Sequence, residues 1–245
     1  MEVWTRLWSV PCCEAHDALP STNDRVRELA GQGAAPFTVV IADEQTRGRG
    51  RAGRRWESPP GAGLWMSFLL RPDAGVSHAL TPILVGLATA RAIETLCPAL
   101  RPEVKWPNDV LIDGRKAGGI LCEGVGGEAI VVGVGINVSQ GDADFPAALR
   151  GRATSLGAAG CEGVSRAALA GAVLREARSL VEPLPDGLDG GLRRELQRRD
   201  ALAGRTVRAD TGQQGRALGV AADGALLIEA EGQVQAIRGG GVRVV

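Results

Sequence analysis

Apolar residues along the chain fall into short runs and one long periodic segment, which predict strands and helices respectively. The short runs, typical of buried strands, occupy 37–42 (FTVVIA), 63–71 (GLWMSFLLR) and 129–138 (AIVVGVGINV). The longest helical pattern covers 77–96, with apolar residues at Ile83, Leu84, Leu87, Ile93 and Leu96. Two further helices are predicted at 165–184 and 188–200.

A helix start and a strand meander are also visible in the pattern. Ser21 precedes a helical segment as its N-cap, with Asp24 in a capping-box position and Gly31 or Gly33 as the stop. The segments EVKW, DVLID and KAGGILCE are separated by turns at 107–108 and 113–114, which predicts three neighbouring strands.

The pattern changes after residue 200. Five short strands separated by Gly, Asp and Gln turns occupy residues 201–245, which predicts a small closed or half-open β-barrel. We therefore divide the chain into a larger domain, 1–200, and a small C-terminal domain, 201–245.

Composition narrows the class of protein. The chain has 245 residues, 44% of them hydrophobic, and a formal net charge of zero, which supports a folded core and argues against a general binder of nucleic acid or membrane surfaces. We find no apolar run near the ~18–20 residues of a membrane span. The cysteines form no C-x-x-C pair and are odd in number, and only two histidines are present, which argues against zinc and favours reduced thiols in the cytoplasm.

Both lysines and one of the three asparagines fall within twelve residues. Lys105 and Lys116 are the two lysines among 28 basic residues. They begin and end the segment KWPNDVLIDGRK, which also contains Asn108. Either chance explains this, or a coding bias has left these residues where substitutes fail.

The most concentrated charge lies in residues 47–55, the arginine loop, which holds five arginines and three glycines without an acid. Its sequence lacks the P-loop spacing, and its formal G-x-G-x-x-G match is weak evidence for a dinucleotide site. Three interpretations stay open: a solvated loop, a nucleic-acid-binding segment, or a lid on an anionic ligand. Glycine lets backbone N–H groups approach an anion, and arginine forms bidentate hydrogen bonds with phosphate or carboxylate. Both properties favour a lid that is ordered by its ligand.

A second group of chemically useful residues surrounds the predicted meander turns. A lysine ammonium suits charge that develops on a carboxylate or phosphoryl oxygen, so Lys105 and Lys116 are candidate catalytic groups. Asp109 could ligate Mg²⁺ or orient an attacking amine. The alternative is a Pro-Asn-Asp turn with Asp109 only as turn former.

Five segments together resemble the biotin protein ligases, enzymes that activate biotin with ATP and attach it to a lysine of a carrier protein. The segments are STN (21–23), GRGRAGRRW (48–56), KWPNDV (105–110), RKAGGIL (115–121) and GVGIN (133–137). They occur in the family's order and near its spacing, over residues 20–140. The rest of the chain matches the family only in outline.

The resemblance implies an α+β fold: a mixed sheet flanked by helices, like class II aminoacyl-tRNA synthetase catalytic domains, followed by a small SH3-like barrel. It implies a biotin pocket lined by Ser21, Thr22, Gln45, Gly48, Arg49, Lys116 and Gly119. It places ATP and Mg²⁺ against Arg51, Arg54, Trp56, Lys105, Asn108, Asp109 and Asn137, with Trp56 near adenine and Asp109 as the Mg²⁺ ligand. Catalytic roles fall to Lys116, Arg49, Asp109 and Lys105.

The resemblance also implies the partners. A biotin carboxyl carrier domain would supply the acceptor lysine, a homodimer is common in the family, and too few residues precede Ser21 for a DNA-binding domain. We therefore expect no specific nucleic acid and no membrane. Two alternatives remain: a lipoate or octanoate ligase or transferase of the same fold, with Cys122 as a conceivable nucleophile, or a non-catalytic RNA-binding module.

Overall fold

The computed structural model describes residues 2–73 and 78–245. Its helices are α1 (Glu2–Trp8), α2 (Thr22–Gly31), α3 (Thr81–Leu96), α4 (Arg166–Val181) and α5 (Gly190–Arg199). Its strands are β1 (Cys13–Leu19), β2 (Val39–Gln45), β3 (Gly63–Leu70), β4 (Glu103–Lys105), β5 (Asp109–Ile112), β6 (Arg115–Val125), β7 (Ala129–Asn137), β8 (Thr206–Ala209), β9 (Gln214–Val220), β10 (Leu226–Ala230), β11 (Gln233–Ile237) and β12 (Val242–Val244). Residue 77, the first of the predicted long helix, lies outside the described residues.

Seven strands form one mixed sheet in the order β1-β2-β3-β7-β6-β5-β4. β1 and β2 are parallel, because α2 carries the chain back between them, and the other neighbours are antiparallel. The predicted mixed sheet with helices is confirmed, and the predicted meander is β4, β5 and β6.

The two faces of this sheet differ in what covers them. α3 and α4 bury one face in the main core, while Val26 of α2 packs on the other face against Val40, Leu69 and Val131. Side chains alternate along a strand, so Gly133 and Gly135 of β7 share the α2 face with Val131. Where α2 does not cover it, this face carries no bulky side chain at Gly133 and Gly135, and we call this surface the glycine floor.

An ion pair fixes the start of α2 over the sheet. The Arg25 guanidinium lies 2.8 Å and 2.9 Å from the two carboxylate oxygens of Glu14 on β1. This hydrogen-bonded partner lowers the pKa of Glu14 to about 2. The buried residues Ser21 to Asn23 are thereby held above the strand ends.

The helix α3 corrects one expectation. The helical segment His78–Leu96 is long and apolar enough to cross a membrane. The expectation that the chain has no apolar run of that length is therefore wrong. However, 67% of its most apolar stretch is buried inside the protein. Its apolar residues, such as Leu84 and Leu87, are fully buried between the sheet and α4, which is the environment of a core helix.

The predicted C-terminal strands are present as a second sheet, in the order β11-β10-β9-β8-β12. Within the described residues β11 and β12 are its two unpaired edges, so the sheet is open and a closed barrel is not found. It contacts the first sheet through the Trp106 indole N–H, which donates to the Gly224 carbonyl oxygen at 2.9 Å.

A disulfide corrects the prediction of reduced thiols. Cys97, after the end of α3, is bonded to Cys161 in the loop before α4, with their Cα atoms 5.8 Å apart. The two residues are 64 positions apart in sequence, and only packing of α3 beside α4 brings them together. Cys12, Cys13 and Cys122 are free thiols.

Candidate active site

A single cavity of about 720 Å³ brings nearly all of the predicted site residues together. It lies on the α2 face of the sheet, between the glycines of β6 and β7 and the arginine loop. The predicted residues that line it are Ser21, Thr22, Gln45, Arg49, Arg51, Arg54, Trp56, Lys105, Asn108, Asp109, Lys116, Gly119 and Asn137. Gly48 is the remaining predicted residue and does not line it.

Buried hydroxyl and amide groups form a hydrogen-bonded chain at one end of the cavity. The Thr22 backbone N–H and hydroxyl lie 2.9 Å and 3.0 Å from Gln45 Oε1. Thr22 Oγ1 is 2.7 Å from Ser67 Oγ, whose hydroxyl donates to Asn23 Oδ1 at 2.6 Å. Asn23 Nδ2 in turn donates to Glu123 Oε2 at 2.6 Å. This end suits a polar, uncharged part of a ligand, and we call it the floor chain.

Ser21 departs from its predicted local role. It occupies the N-cap position of α2, but its side chain makes no capping hydrogen bond, so the predicted capping box is wrong. Ser21 is only 3% exposed and lines the cavity. The hydroxyl is therefore available to a ligand rather than used by the helix.

The arginine loop folds as a narrow hairpin. The Gly50 N–H donates to Arg54 O at 2.7 Å, and the Trp56 N–H donates to Gly48 O at 3.0 Å. A Cβ on Gly48 would lie 2.8 Å from Ser58 Oγ and would collide with the Trp56 carbonyl oxygen. Gly48 therefore allows the two arms to approach each other, which explains why it is needed although it does not line the cavity.

Arg49 already has acidic partners. Its guanidinium lies 2.7 Å from Asp24 Oδ1 on α2 and 3.0 Å from Glu123 Oε2 on β6. Part of the positive charge of the loop is therefore balanced by the protein itself.

Arg51 instead crosses the mouth of the cavity. One of its nitrogens donates to Asn108 Oδ1 at 3.0 Å and another to the Gly240 carbonyl oxygen at 2.9 Å. Both partners are uncharged, so the positive charge of Arg51 is not neutralised by either contact. Arg51 is therefore a loop arginine whose charge is available to an anion in the cavity.

Trp56 lies flat on the glycine floor. A Cβ on Gly135 would be 2.6 Å from its Nε1, and one on Gly119 would be 3.3 Å from its Cζ3. The indole Nε1 is buried and has no hydrogen-bond partner in the described part of the chain. Because an unpaired buried donor is costly, we expect a ligand to give it a partner or to move the ring.

Lys105, Asp109 and Lys116 form a charged cluster at the other end of the cavity. Lys105 and Asp109 are paired across the turn between β4 and β5, and Lys116 Nζ lies 2.6 Å from Asp109 Oδ1. Burial, together with the nearby cations Lys116, Arg152 and Arg54, lowers the pKa of Lys105 although Asp109 opposes the shift. The cluster keeps an excess of positive charge and suits phosphate or carboxylate oxygens.

The same cluster does not fit a resident Mg²⁺. No group of three His, Cys, Asp or Glu residues that could hold a metal ion occurs among the described residues. Asp109, the predicted ligand, is occupied by Lys116 and lies beside Lys105. A divalent cation here would need the oxygens of a bound phosphate to complete its coordination.

Asn137 is committed to the protein. Its side-chain amide donates to Thr154 O at 2.9 Å, and its oxygen accepts from Gln140 at 3.3 Å. Both contacts hold the segment 139–154, which forms one wall of the cavity. In this structure Asn137 shapes the wall, and direct contact with a nucleotide stays a prediction.

Sequence reasoning missed several residues of the site. Asn23 stood inside the quoted STN motif, so it was within reach. Ser67, Glu123 and Arg152 had no motif, although alternation along β6 would have placed Glu123 on the same face as Gly119. Asp210, whose carboxylate accepts the Gly241 N–H at 2.7 Å, reaches the cavity from the C-terminal sheet.

Comparison with known proteins agrees with this geometry. Residues 16–139, half of the chain, match the model of the biotin/lipoate A/B protein ligase family. The bifunctional ligase/repressor BirA of Bacillus subtilis is 44% identical over 62% of the chain, and BirA of Escherichia coli is 35% identical over 91%. The chain spans about half the length of the first relative (48%) and 70% of the second.

A solved structure is similar over nearly the whole chain. The biotin protein ligase of Aquifex aeolicus, in complex with biotin and ATP, superposes with a TM-score of 0.86 at 28% identity, covering 96% of this chain and all of the other. The similarity thus extends beyond the matched motifs to the complete fold. This chain belongs to the biotin/lipoate A/B protein ligase family.

Proposed function

We propose that the protein activates biotin with ATP to biotinyl-5'-AMP and transfers the biotinyl group to a lysine of a biotin carboxyl carrier protein. The observation that carries the proposal is one cavity with a hydrogen-bonding end, the floor chain, and a cationic end at Lys105 and Lys116. Biotin has a matching polarity, with a ureido ring at one end and a carboxylate at the other. The similarity to the bifunctional ligase/repressor BirA and to the Aquifex ligase in complex with biotin and ATP supports the same activity.

The hydrogen balance of the floor chain supports a ligand with N–H donors. Three oxygen–oxygen contacts of 2.6–3.0 Å link Gln45, Thr22, Ser67 and Asn23, yet Thr22 and Ser67 provide only two hydroxyl hydrogens. One contact therefore lacks a hydrogen, and the floor offers more acceptors than donors. A ureido group brings two N–H donors to such a site.

The cationic end is arranged for adenylation. A biotin carboxylate oxygen forms a bond to the α-phosphorus of ATP while the bond to the β-phosphate oxygen breaks and pyrophosphate leaves. Lys116, Lys105, Arg51 and Arg54 line the same cavity. We assign Lys116 and Lys105 to offset charge on the carboxylate and the phosphoryl oxygens, and Arg51 and Arg54 to bind the nucleotide. We assign Mg²⁺ to the ATP complex, as part of the substrate.

The second step needs an amine and the exclusion of water. The carrier lysine attacks the acyl carbon, an amide bond forms, the amine loses a proton and AMP departs. Asp109 is within the cavity and is our candidate to orient the amine. Because the adenylate is a mixed anhydride that water destroys, the arginine loop has a clear use as a cover.

The decisive experiment is ATP–pyrophosphate exchange with biotin, lipoate or octanoate as the acid. We expect exchange that depends on biotin. Exchange with lipoate or octanoate alone would favour the related ligases. No exchange with any acid, together with RNA binding that weakens steeply with salt, would favour the RNA-binding module.

The lowered pKa of Lys105 gives a pH prediction. The charged ammonium exists below its pKa, so a lowered pKa means that charge is lost at a lower pH than for an ordinary lysine. We expect the KM for ATP in the exchange reaction to rise as the pH increases through this lowered range. Lys105→Arg, which stays charged, should remove the rise; an identical alkaline rise in that variant would contradict the assignment.

Cys122 provides the test of the cysteine-transferase alternative. Its side chain lines a second, smaller cavity of about 420 Å³ and not the main one. Burial raises the pKa of its thiol to about 12, which opposes formation of a nucleophilic thiolate. We expect Cys122→Ala to biotinylate a carrier domain at the wild-type rate, and loss of activity would revive the alternative.

The proposal also covers the domain organisation, the location and the partners of the protein. We retain a domain boundary near residue 201, an SH3-like character for the C-terminal sheet, the cytoplasm as location, a homodimer, and no nucleic acid or membrane partner. Size-exclusion chromatography with light scattering tests the dimer, and limited proteolysis near residue 201 tests the boundary.

A further inference from the structure

Glu123 is a half-buried carboxylate that receives three nitrogen donors. Asn23 Nδ2 lies 2.6 Å from Oε2, Arg49 Nη2 lies 3.0 Å from Oε2, and Arg27 Nη2 lies 3.1 Å from Oε1. Burial opposes the ionised form, but these donors outweigh it and lower the pKa of Glu123. Glu123 is therefore ionised at neutral pH and accepts hydrogen bonds only.

The first contact, supported by a longer contact of 3.5 Å between Asn23 Nδ2 and the Leu121 carbonyl oxygen, determines how the floor chain is polarised. Since a carboxylate accepts hydrogen bonds only, Asn23 must direct its NH₂ group at Glu123 and its oxygen at Ser67. The other end of the chain is fixed in the same sense, because the Thr22 backbone N–H requires the oxygen of Gln45. The side-chain amides of Asn23 and Gln45 therefore both point their oxygen atoms at the hydroxyl groups, and this orientation produces the excess of acceptors described above.

The second contact joins the floor chain to the arginine loop. Arg49 is held by Glu123 on β6 and by Asp24 on α2, and these two acids lie on different elements. Asp24 contacts Arg27 and Arg49 but takes no part in the floor chain. Glu123 thus connects floor and loop, whereas Asp24 serves the loop alone.

We propose that Glu123 is a positioning residue that sets the donor–acceptor polarity of the biotin-binding floor and couples that floor to closure of the arginine loop. The proposal rests on the proposed function. It assigns Glu123 no contact with the reacting atoms; it acts through Asn23 and Arg49. The ligand class it selects is a neutral head group that presents N–H donors.

The test compares three carboxamide variants of the full chain. Glu123→Gln is isosteric but lets the amide at 23 reverse, so we expect the KM for biotin to rise about ten-fold or more. We also expect a larger fraction of biotinyl-AMP in the protein-free filtrate, while kcat at saturating biotin changes less. Asp24→Asn should raise the released fraction only. Glu128→Gln, on the exposed β6–β7 turn, should behave as wild type.

The outcomes separate cleanly. Unchanged KM for biotin and unchanged release in Glu123→Gln would overturn the proposal, as would an equal rise of KM in Asp24→Asn. If thermal unfolding shows that Glu123→Gln is not folded, Glu123→Asp takes its place: it keeps the charge but withdraws it by one methylene, and wild-type values would overturn the proposal. Absence of biotin-dependent exchange in the wild type would instead refute the proposed function.

Discussion

Lys116→Ala is expected to slow biotin-dependent ATP–pyrophosphate exchange by about a hundredfold or more, which is the usual scale for removing one group that stabilises developing charge. Its ammonium has three hydrogens, and Asp109 takes one at 2.6 Å, which leaves the others for a carboxylate or phosphoryl oxygen. The variant also exposes Asp109 as an unpaired negative charge beside the nucleotide. Both effects act in the same direction.

Stability should change little in this variant. The side chains of Lys116 and Asp109 are 35% and 21% exposed, and a partly exposed ion pair contributes about 1 kcal/mol or less. Arg115→Ala is the matched control, because it removes the neighbouring cation of β6, which pairs with Asp142 outside the main cavity. Wild-type exchange rates in Lys116→Ala, or an equal loss in Arg115→Ala, would contradict the role of Lys116.

Arg51→Ala is expected to raise the fraction of biotinyl-AMP that escapes into solution by about ten-fold or more, the scale of a lost hydrogen bond to a charged group. Its two contacts, with Asn108 and the Gly240 carbonyl, close the mouth of the cavity, and its charge attracts the adenylate phosphate. The measurement is biotinyl-AMP in the protein-free filtrate, together with biotin attached to a bystander protein.

Two other loop arginines provide the comparison. Arg49→Ala should also release adenylate, because it removes both ion pairs, with Asp24 and with Glu123, that hold the loop. Arg47→Ala should match wild type, because Arg47 is exposed and does not line the cavity. Equal release from the Arg51 and Arg47 variants would remove the case for Arg51 as the closing residue.

Sequence patterns located the buried strands well and the edges poorly. β3 is buried along its whole length and β7 at every residue but Gly135, so their continuous apolar runs predicted them to within one residue. β1 (CEAHDAL) was missed, because an edge strand carries polar residues such as Glu14 and His16 and lacks an apolar run. Closure of the C-terminal strands depends on whether β11 meets β12, which no local pattern encodes.

The site divides in the same way. Residues that lie in short contiguous motifs, such as Lys116 and Arg51, were assigned to a common site, and all but Gly48 line one cavity. Glu123 and Ser67 are brought to the site by the register of neighbouring strands. Outside the site, the Cys97–Cys161 disulfide likewise depends on the packing of two helices. These relations join residues far apart in sequence, so motif spacing cannot reveal them. Even Arg49, correctly placed near the cavity, had partners that only the fold discloses.

The C-terminal sheet contacts, through main-chain oxygens, two residues that line the cavity. Arg51 is held by the carbonyl of Gly240, and Trp106, next to Lys105, by that of Gly224. Both glycines have positive φ angles, 80° and 86°, which other residues adopt only under strain. We therefore expect a substitution of Gly240 or Gly224 to displace Arg51 or Trp106 and so to change the cavity, although neither glycine carries a reactive group.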